Sequence, residues 1–477
     1  MPQHPPDTRQ LADLDRAHVW HPFTPMRQWR EAEPLIIERA EGCHLFDHEG
    51  RAYIDGVSSL WCNVHGHRVP SIDRAVRDQL EKVAHTTLLG LSSPPSIELA
   101  ARLCRLSPGG LNKVFYTDSG ATAVEVALKM AVGYWHHEDQ PLKTDFIAVG
   151  GAYHGDTTGA MSVGYSDFFH HPFASMVFAV THLAALNACR PPPDLDIRGP
   201  QESSDATIWP SENAELGAAI RDHTLDELKS ILEDRADRIA AIVVEPLMQG
   251  AAGMVCHPPG FLRRVRVLAD EHHVLLIADE VATGFGRTGT LFACEQEGVA
   301  PDIMCLAKGL TGGYVPLAAT LATDAVEQAF CGPVEAGRTL YHGHTYTGNA
   351  LACAAALASL DLFEATELLA HVRRSAAIIA ERLDAMRNAA LFPQVLDVRQ
   401  RGLMVGIELC RDRSTGESFD PALRTGAAVC RSMRREGVIL RPLGDVVVLM
   451  PIPAMPHDLL DGMLDVVLKA LRTMAPA

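Results

Sequence analysis

The run Val274-Leu275-Leu276-Ile277-Ala278-Asp279-Glu280 limits most what this chain can fold into. A short, unbroken apolar run reads as a strand buried on both faces, and such strands belong to parallel sheets covered by helices on each side. Two further stretches, Lys113 to Thr117 and Ile239 to Val244, read as strands, while Ala121 to Trp135 and Pro259 to Asp270 read as helices. This alternation predicts an α/β fold with crossover connections and a largely parallel sheet. The carboxylates that end the first run would then lie at the C-terminal edge of the sheet, where open α/β folds bind ligands. A solvated pair at a strand end is the competing reading, since carboxylates are mostly exposed.

At 477 residues the chain is too long for one small core, so two or more compact units are expected. Residues 190–213, with Pro191-Pro192-Pro193 and Gly199-Pro200, read as a surface excursion because the α/β rhythm resumes after them. The rhythm changes between Arg338 and Thr347, where a second unit begins. A net charge of −17 argues against a nucleic-acid or anionic-membrane partner, and a phosphorylated ligand must therefore be held by a local site. The 11 cysteines are scattered and show no C-x-x-C pair, which reads as buried thiols in a reducing compartment. No apolar run reaches signal-peptide or membrane-spanning length, so a soluble cytoplasmic protein is expected.

Three segments could carry chemistry together. Ala307-Lys308-Gly309-Leu310 sets a lysine among glycine and apolar neighbours, where desolvation lowers the amine pKa and favours imine formation. Alone, such a lysine is more often a surface charge. Its separation from Asp279 allows one crossover between neighbouring strands, and a carboxylate facing a pyridinium with a lysine facing an aldehyde is what pyridoxal 5'-phosphate (PLP) chemistry requires. Asp118-Ser119-Gly120-Ala121-Thr122 is a strand-to-helix turn of small residues whose backbone N–H groups could reach a phosphate, although a simple helix cap fits it equally. Tyr153, after Gly150-Gly151, could stack on a flat ring or sit half-buried in the core. Gly284-Phe285-Gly286-Arg287-Thr288-Gly289 fits G-x-G-x-x-G, but no strand–helix unit opens on it and a dinucleotide site is not expected. The His-Gly-His triplets at 65–67 and 342–344 lack a third ligand at suitable spacing, so no metal is expected.

The run Ala278 to Gly289 followed by Lys308-Gly309-Leu310-Thr311-Gly312-Gly313 resembles the class III aminotransferases of PLP fold type I. His18-Val19-Trp20-His21-Pro22-Phe23-Thr24, Ser58-Ser59-Leu60-Trp61, Tyr153-His154-Gly155-Asp156-Thr157 and Leu440-Arg441-Pro442 narrow the resemblance to the branch that aminates 8-amino-7-oxononanoate in biotin synthesis. The likeness spans nearly the whole chain apart from residues 190–213. It implies a large, mixed but mostly parallel sheet domain over 76–335, and a smaller α+β domain built from residues 1–75 and 336–477. It also implies a homodimer with shared active sites and small-molecule substrates.

The resemblance further implies roles for single residues. Lys308 would bind the cofactor through its amine and then move the proton, and Asp279 would keep the pyridine nitrogen protonated. Gly120 and Ala121 would hold the phosphate, with Thr345 contributing across the dimer interface. Tyr153 would stack near the ring and line the substrate pocket with Trp61, while Gly343 and His344 would sit in that pocket or near the phosphate. Arg441 would bind the substrate carboxylate, for which a guanidinium is suited. Three positions depart from the commoner pattern: Phe23 in place of a tyrosine, Leu60 in place of the first of two tryptophans, and His344 in place of a proline. With Asn63-Val64-His65-Gly66-His67 they look more like the subgroup that takes its amino group from lysine, while S-adenosylmethionine is the donor usual in the family, so both donors stay open. The alternative within enzymes is another class III ω-aminotransferase, acting on ornithine, 4-aminobutyrate or a diamine. A PLP-binding regulator would need a DNA-binding unit, and none is visible.

Overall fold

The computed structural model describes residues 8–195 and 209–474, so only the two ends of the 190–213 excursion are placed. The apolar run of the opening argument becomes the strand Leu275–Asp279, every residue of which is buried. It lies inside a seven-stranded sheet. In spatial order the strands are Leu111–Thr117, Ala318–Thr323, Ile303–Leu306, Leu275–Asp279, Ile239–Val244, Asp145–Val149 and Thr181–Leu183. Ala318–Thr323 pairs antiparallel with both neighbours, and the other pairings are parallel. The sheet is thus mixed and mostly parallel, as fold type I requires.

Both faces are covered, which explains the unbroken apolar runs. Ile277, Ala241 and Ile303 pack under Ala123, Val124, Ala127 and Ala131 of the helix Gly120–His137. On the other face Leu276 and Ile242 meet Leu228 of the helix Ala214–Arg235 and Phe261 and Val265 of Phe261–Glu271. Each such aliphatic side chain taken fully from water contributes about 1.5–3 kcal/mol. The helix Gly120–His137 starts where it does because Ser119 stays extended and its Oγ accepts the N–H of Thr122 at 3.4 Å.

The connection from Asp279 to Ile303 is the expected crossover between neighbouring parallel strands, made of turns and one short 3-10 helix, Ala293–Glu297. One element differs from its sequence-based expectation. Trp209, at the end of the excursion, is buried in the core and not on the surface. The chain ends meet in a separate sheet: the antiparallel strands Ile37–Glu41, His44–Asp47 and Ala52–Asp55 are joined in parallel by Val438–Ile439. A third, antiparallel sheet (Val395–Arg401, Met404–Leu409, Val446–Leu449, Arg441–Leu443) packs with the helices Leu368–Leu383, Thr425–Arg435 and His457–Arg472. Among the described residues no helix is long and apolar enough to cross a membrane.

Candidate active site

Parallel strands deliver their C-terminal ends to one edge, and five of those ends converge on a cavity of about 630 Å³. Lys308, Asp279, Tyr153, Trp61, Gly120 and Ala121 all line it. The parallel register explains the first pair, because Asp279 lies opposite Cys305 and Lys308 follows three residues later. A larger cavity of about 930 Å³ opens near Trp209, His257 and Arg401, but none of the expected site residues lines it.

Lys308 has φ of 45°, a left-handed conformation uncommon for a side chain this large. Its Nζ lies 4.8 Å from the centroid of the Trp61 ring and makes no hydrogen bond among the described residues. Burial pulls its pKa below the usual lysine range, against the charges of Asp279 and Glu245, which favour the ammonium. The amine is therefore easier to deprotonate than a surface lysine, as a nucleophile needs.

Asp279 is 4% exposed and spends both oxygens. Oδ1 accepts the N–H of Val281 at 3.0 Å, and Oδ2 pairs with Nδ1 of His154 at 2.7 Å. Burial depresses His154, yet the hydrogen bond and charge of Asp279 outweigh it and the net shift is upward. Tyr153 presents its ring from the loop after Asp145–Val149 and donates its hydroxyl to Asp156 at 2.8 Å. Burial, with Asp156 beside it, raises its pKa, so the phenol keeps its proton.

At the start of the helix Gly120–His137 both readings of the turn hold. Ser119 caps the helix, while the N–H groups of Gly120 and Ala121 donate to nothing among the described residues. A Cβ on Gly120 would lie 2.6 Å from Val281 Cγ1, so only glycine lets this helix end approach the segment after Asp279 so closely. Free N–H donors at a helix N-terminus suit a phosphate. With the lysine, the strand-end carboxylate and the ring of Tyr153, they form a donor set that fits PLP.

The other expected residues stand apart within one chain. Gly343 and Thr345 are exposed, Arg441 is exposed on its strand, and none of the three lines this cavity. His344 reaches it indirectly: Nδ1 pairs at 2.6 Å with Asp118, which does line it. His344 Nε2 meets His342 Nε2 at 3.0 Å, and His342 Nδ1 meets Lys129 Nζ at 3.0 Å. Lys129 can only donate, so donor order assigns both imidazoles as neutral, each passing one N–H toward Asp118. The triplet at 342–344 is thus a hydrogen-bonded strap.

Sequence reasoning missed two groups. Glu245 follows the fully buried strand Ile239–Val244 and lines the cavity beside Asp279. Its signal was the same apolar run ending in a carboxylate. Arg287, inside the G-x-G-x-x-G stretch, is fully buried with no carboxylate partner among the described residues, and burial lowers its pKa to about 10. It donates to Ser58 Oγ at 3.1 Å, Pro451 O at 2.8 Å and Asn63 O at 2.8 Å. These bonds brace the turn carrying Trp61, where Ser58, Ser59 and Trp61 all have positive φ.

Burial raises Glu245 from its ordinary 4.5 to about 7, with the charge of His154 lowering it and that of Asp279 raising it. Its share of stability is fully present below pH 4.5 and is lost as pH rises through about 7. For a carboxyl 4% exposed the loss is on the order of 3 kcal/mol. Urea midpoints of the cofactor-free protein should therefore fall from about pH 5 to about pH 8, and Glu245→Gln should flatten that slope. Equal slopes in the two proteins would remove this assignment.

The sequence profile of the family Aminotransferase class-III matches residues 26–471. The adenosylmethionine-8-amino-7-oxononanoate aminotransferase of Geobacter sulfurreducens is 46% identical over 98% of this chain and 98% of its own length. The crystal structure of the enzyme of that name from Methanocaldococcus jannaschii superposes with a TM-score of 0.88 at 39% identity, covering 98% of this chain and 99% of that one. An amine transaminase from an uncultivated Pseudomonas species, solved in its PLP-bound form, gives a TM-score of 0.85 at 34% identity over 95% of this chain and 98% of its own.

Proposed function

This chain belongs to the class III aminotransferases, and from that premise we propose that it aminates 8-amino-7-oxononanoate to 7,8-diaminononanoate in biotin synthesis. The observation that carries the substrate is the nearly full-length likeness to enzymes named for it. The cavity around Lys308 and Asp279 supplies the chemistry.

Lys308 would hold the aldehyde carbon of PLP, Asp279 the ring nitrogen, Gly120 and Ala121 the phosphate, and Tyr153 the ring. When bound, the cofactor supplies an electron sink for charge at the amine carbon. Asp279, held by Val281 and His154, keeps a proton at the ring nitrogen. Lys308, its amine eased toward the free base by burial, moves the proton to and from the reacting carbon. Trp61 and Tyr153 bound the space for the substrate.

The homodimer follows from the same reading. Thr345 and Gly343 are exposed in one chain and would complete the partner's phosphate site, with the strap to Asp118 fixing their segment. Arg441 would take the substrate carboxylate, and the two chain ends would form a small domain beside a large one over 76–335. Location in the cytoplasm completes the reading. The donor is S-adenosylmethionine or lysine, both cationic and suited to a cavity lined by Asp118, Glu245 and Asp279.

Diaminononanoate formation, followed by mass spectrometry with each donor in turn, tests the proposal. Product with one donor and not the other names the donor. Product with neither, alongside amination of simple keto compounds, establishes instead the ω-aminotransferase reading that the likeness to an amine transaminase favours.

A further inference from the structure

Glu245 has no part in the chemistry assigned above, yet it stands where two walls of the cavity meet. Val244, the residue before it, lies opposite Ala278 in the sheet, so Glu245 and Asp279 are neighbouring strand-end carboxylates. Asp279 serves a histidine and its own loop. Glu245 does something different with its oxygens. Oε2 accepts the backbone N–H of Tyr153 at 3.2 Å, and Oε1 accepts the backbone N–H of Gly250 at 3.0 Å.

Each of those N–H groups belongs to a wall. Tyr153 is one wall itself. Gly250 supports the other, because a Cβ built on it would lie 3.1 Å from Trp61 Cζ3, and the indole therefore rests on backbone at that glycine. One buried carboxylate, two oxygens rigidly joined through one carbon, thus ties the backbone behind Tyr153 to the backbone beneath Trp61. A second tie, from Gln249 Nε2 to Gly150 O at 3.1 Å, joins the same two segments, so the fold does not depend on Glu245 alone.

We propose that Glu245 is a positioning residue that fixes the spacing of the Tyr153 and Trp61 walls and thereby sets which substrates the cavity accepts. The inference rests on the substrate pocket proposed above. It requires two acceptor oxygens joined through one carbon. An amide offers one acceptor, and its NH₂ then faces a second backbone N–H. A wall must move to relieve that donor–donor contact.

Glu245→Gln conserves volume and tests this directly. Amide hydrogen exchange of the full chain, with and without PLP, should show about tenfold faster exchange at Tyr153 or Gly250, the fold expected for losing one buried hydrogen bond. Exchange along the strand Ile239–Val244 should be unchanged. In turnover, the KM for the amino acceptor should rise about tenfold while kcat changes less than about threefold, the signature of lost uniform binding. In a Tyr153→Ala, Trp61→Ala background the same substitution should change KM by less than about twofold, because its targets are gone.

Unchanged exchange at both amides overturns the proposal, as does a KM effect that persists undiminished in the double-wall background. Should Glu245→Gln fail to fold, Glu245→Asp keeps the charge but is one methylene too short to span both N–H groups, and the same exchange result is expected. The exchange readout does not use activity, so failure of the biotin-pathway reading and failure of this inference remain distinguishable.

Discussion

Lys308→Ala should lower transamination by about 10²–10⁴-fold or more, the range that a positioned proton-transfer group contributes, and should end covalent attachment of PLP. Among the described residues the lysine is the one amine lining the cavity, and burial already disfavours its charged form. The substitution should spare the fold. Nζ has no hydrogen-bond partner among the described residues, and alanine bears the left-handed backbone at 308 no worse than lysine does. Removal of a cation beside Asp279 and Glu245 is partly offset by His154, whose pKa Asp279 holds up. Borohydride reduction followed by peptide mass mapping provides the check: the cofactor mass should sit on the peptide containing residue 308 in the wild type and vanish in the variant. Persistent attachment elsewhere with sustained turnover would refute the role of Lys308.

The parts of this site that the sequence made legible are those whose signal is local. An unbroken apolar run such as Leu275 to Ala278 has to be buried on both faces, and that alone places Asp279 at the sheet's ligand-binding edge. Ser119 before a Pro-free, alanine-rich stretch marks a helix start within one residue of where it occurs. Glu245 carried the same signal as Asp279 and was passed over because no lysine pairs with it in sequence. Arg287 was not readable. A guanidinium held by Ser58, Asn63 and Pro451 depends on two segments, one toward each chain end, and nothing within Gly284 to Gly289 announces them. The strained turn at Trp61 is similarly hidden, because Ser58 and Ser59 adopt positive φ without any glycine to mark it. His342 and His344 read in sequence only as a pair without a third ligand, because the partners that give both rings a task, Lys129 and Asp118, are distant in sequence.

Asp279→Asn separates binding from chemistry most sharply. The amide oxygen can keep the N–H of Val281, which leaves the amide NH₂ facing His154. His154 can meet it by moving its proton to Nε2, an atom with no partner among the described residues. The protein should therefore fold, at a cost of about 1–3 kcal/mol for a weakened buried charged hydrogen bond. Catalysis should suffer far more. A neutral amide cannot hold a proton on the ring nitrogen, so the electron sink weakens and kcat should fall by at least about 10²-fold. PLP should still attach to Lys308, since the phosphate donors at Gly120 and Ala121 and the ring of Tyr153 are untouched. Stopped-flow measurement of the first half-reaction, with borohydride trapping to count occupied sites, checks both halves. A fully loaded variant with kcat within threefold of the wild type would mean that Asp279 serves His154 and the fold, and that another group protonates the ring.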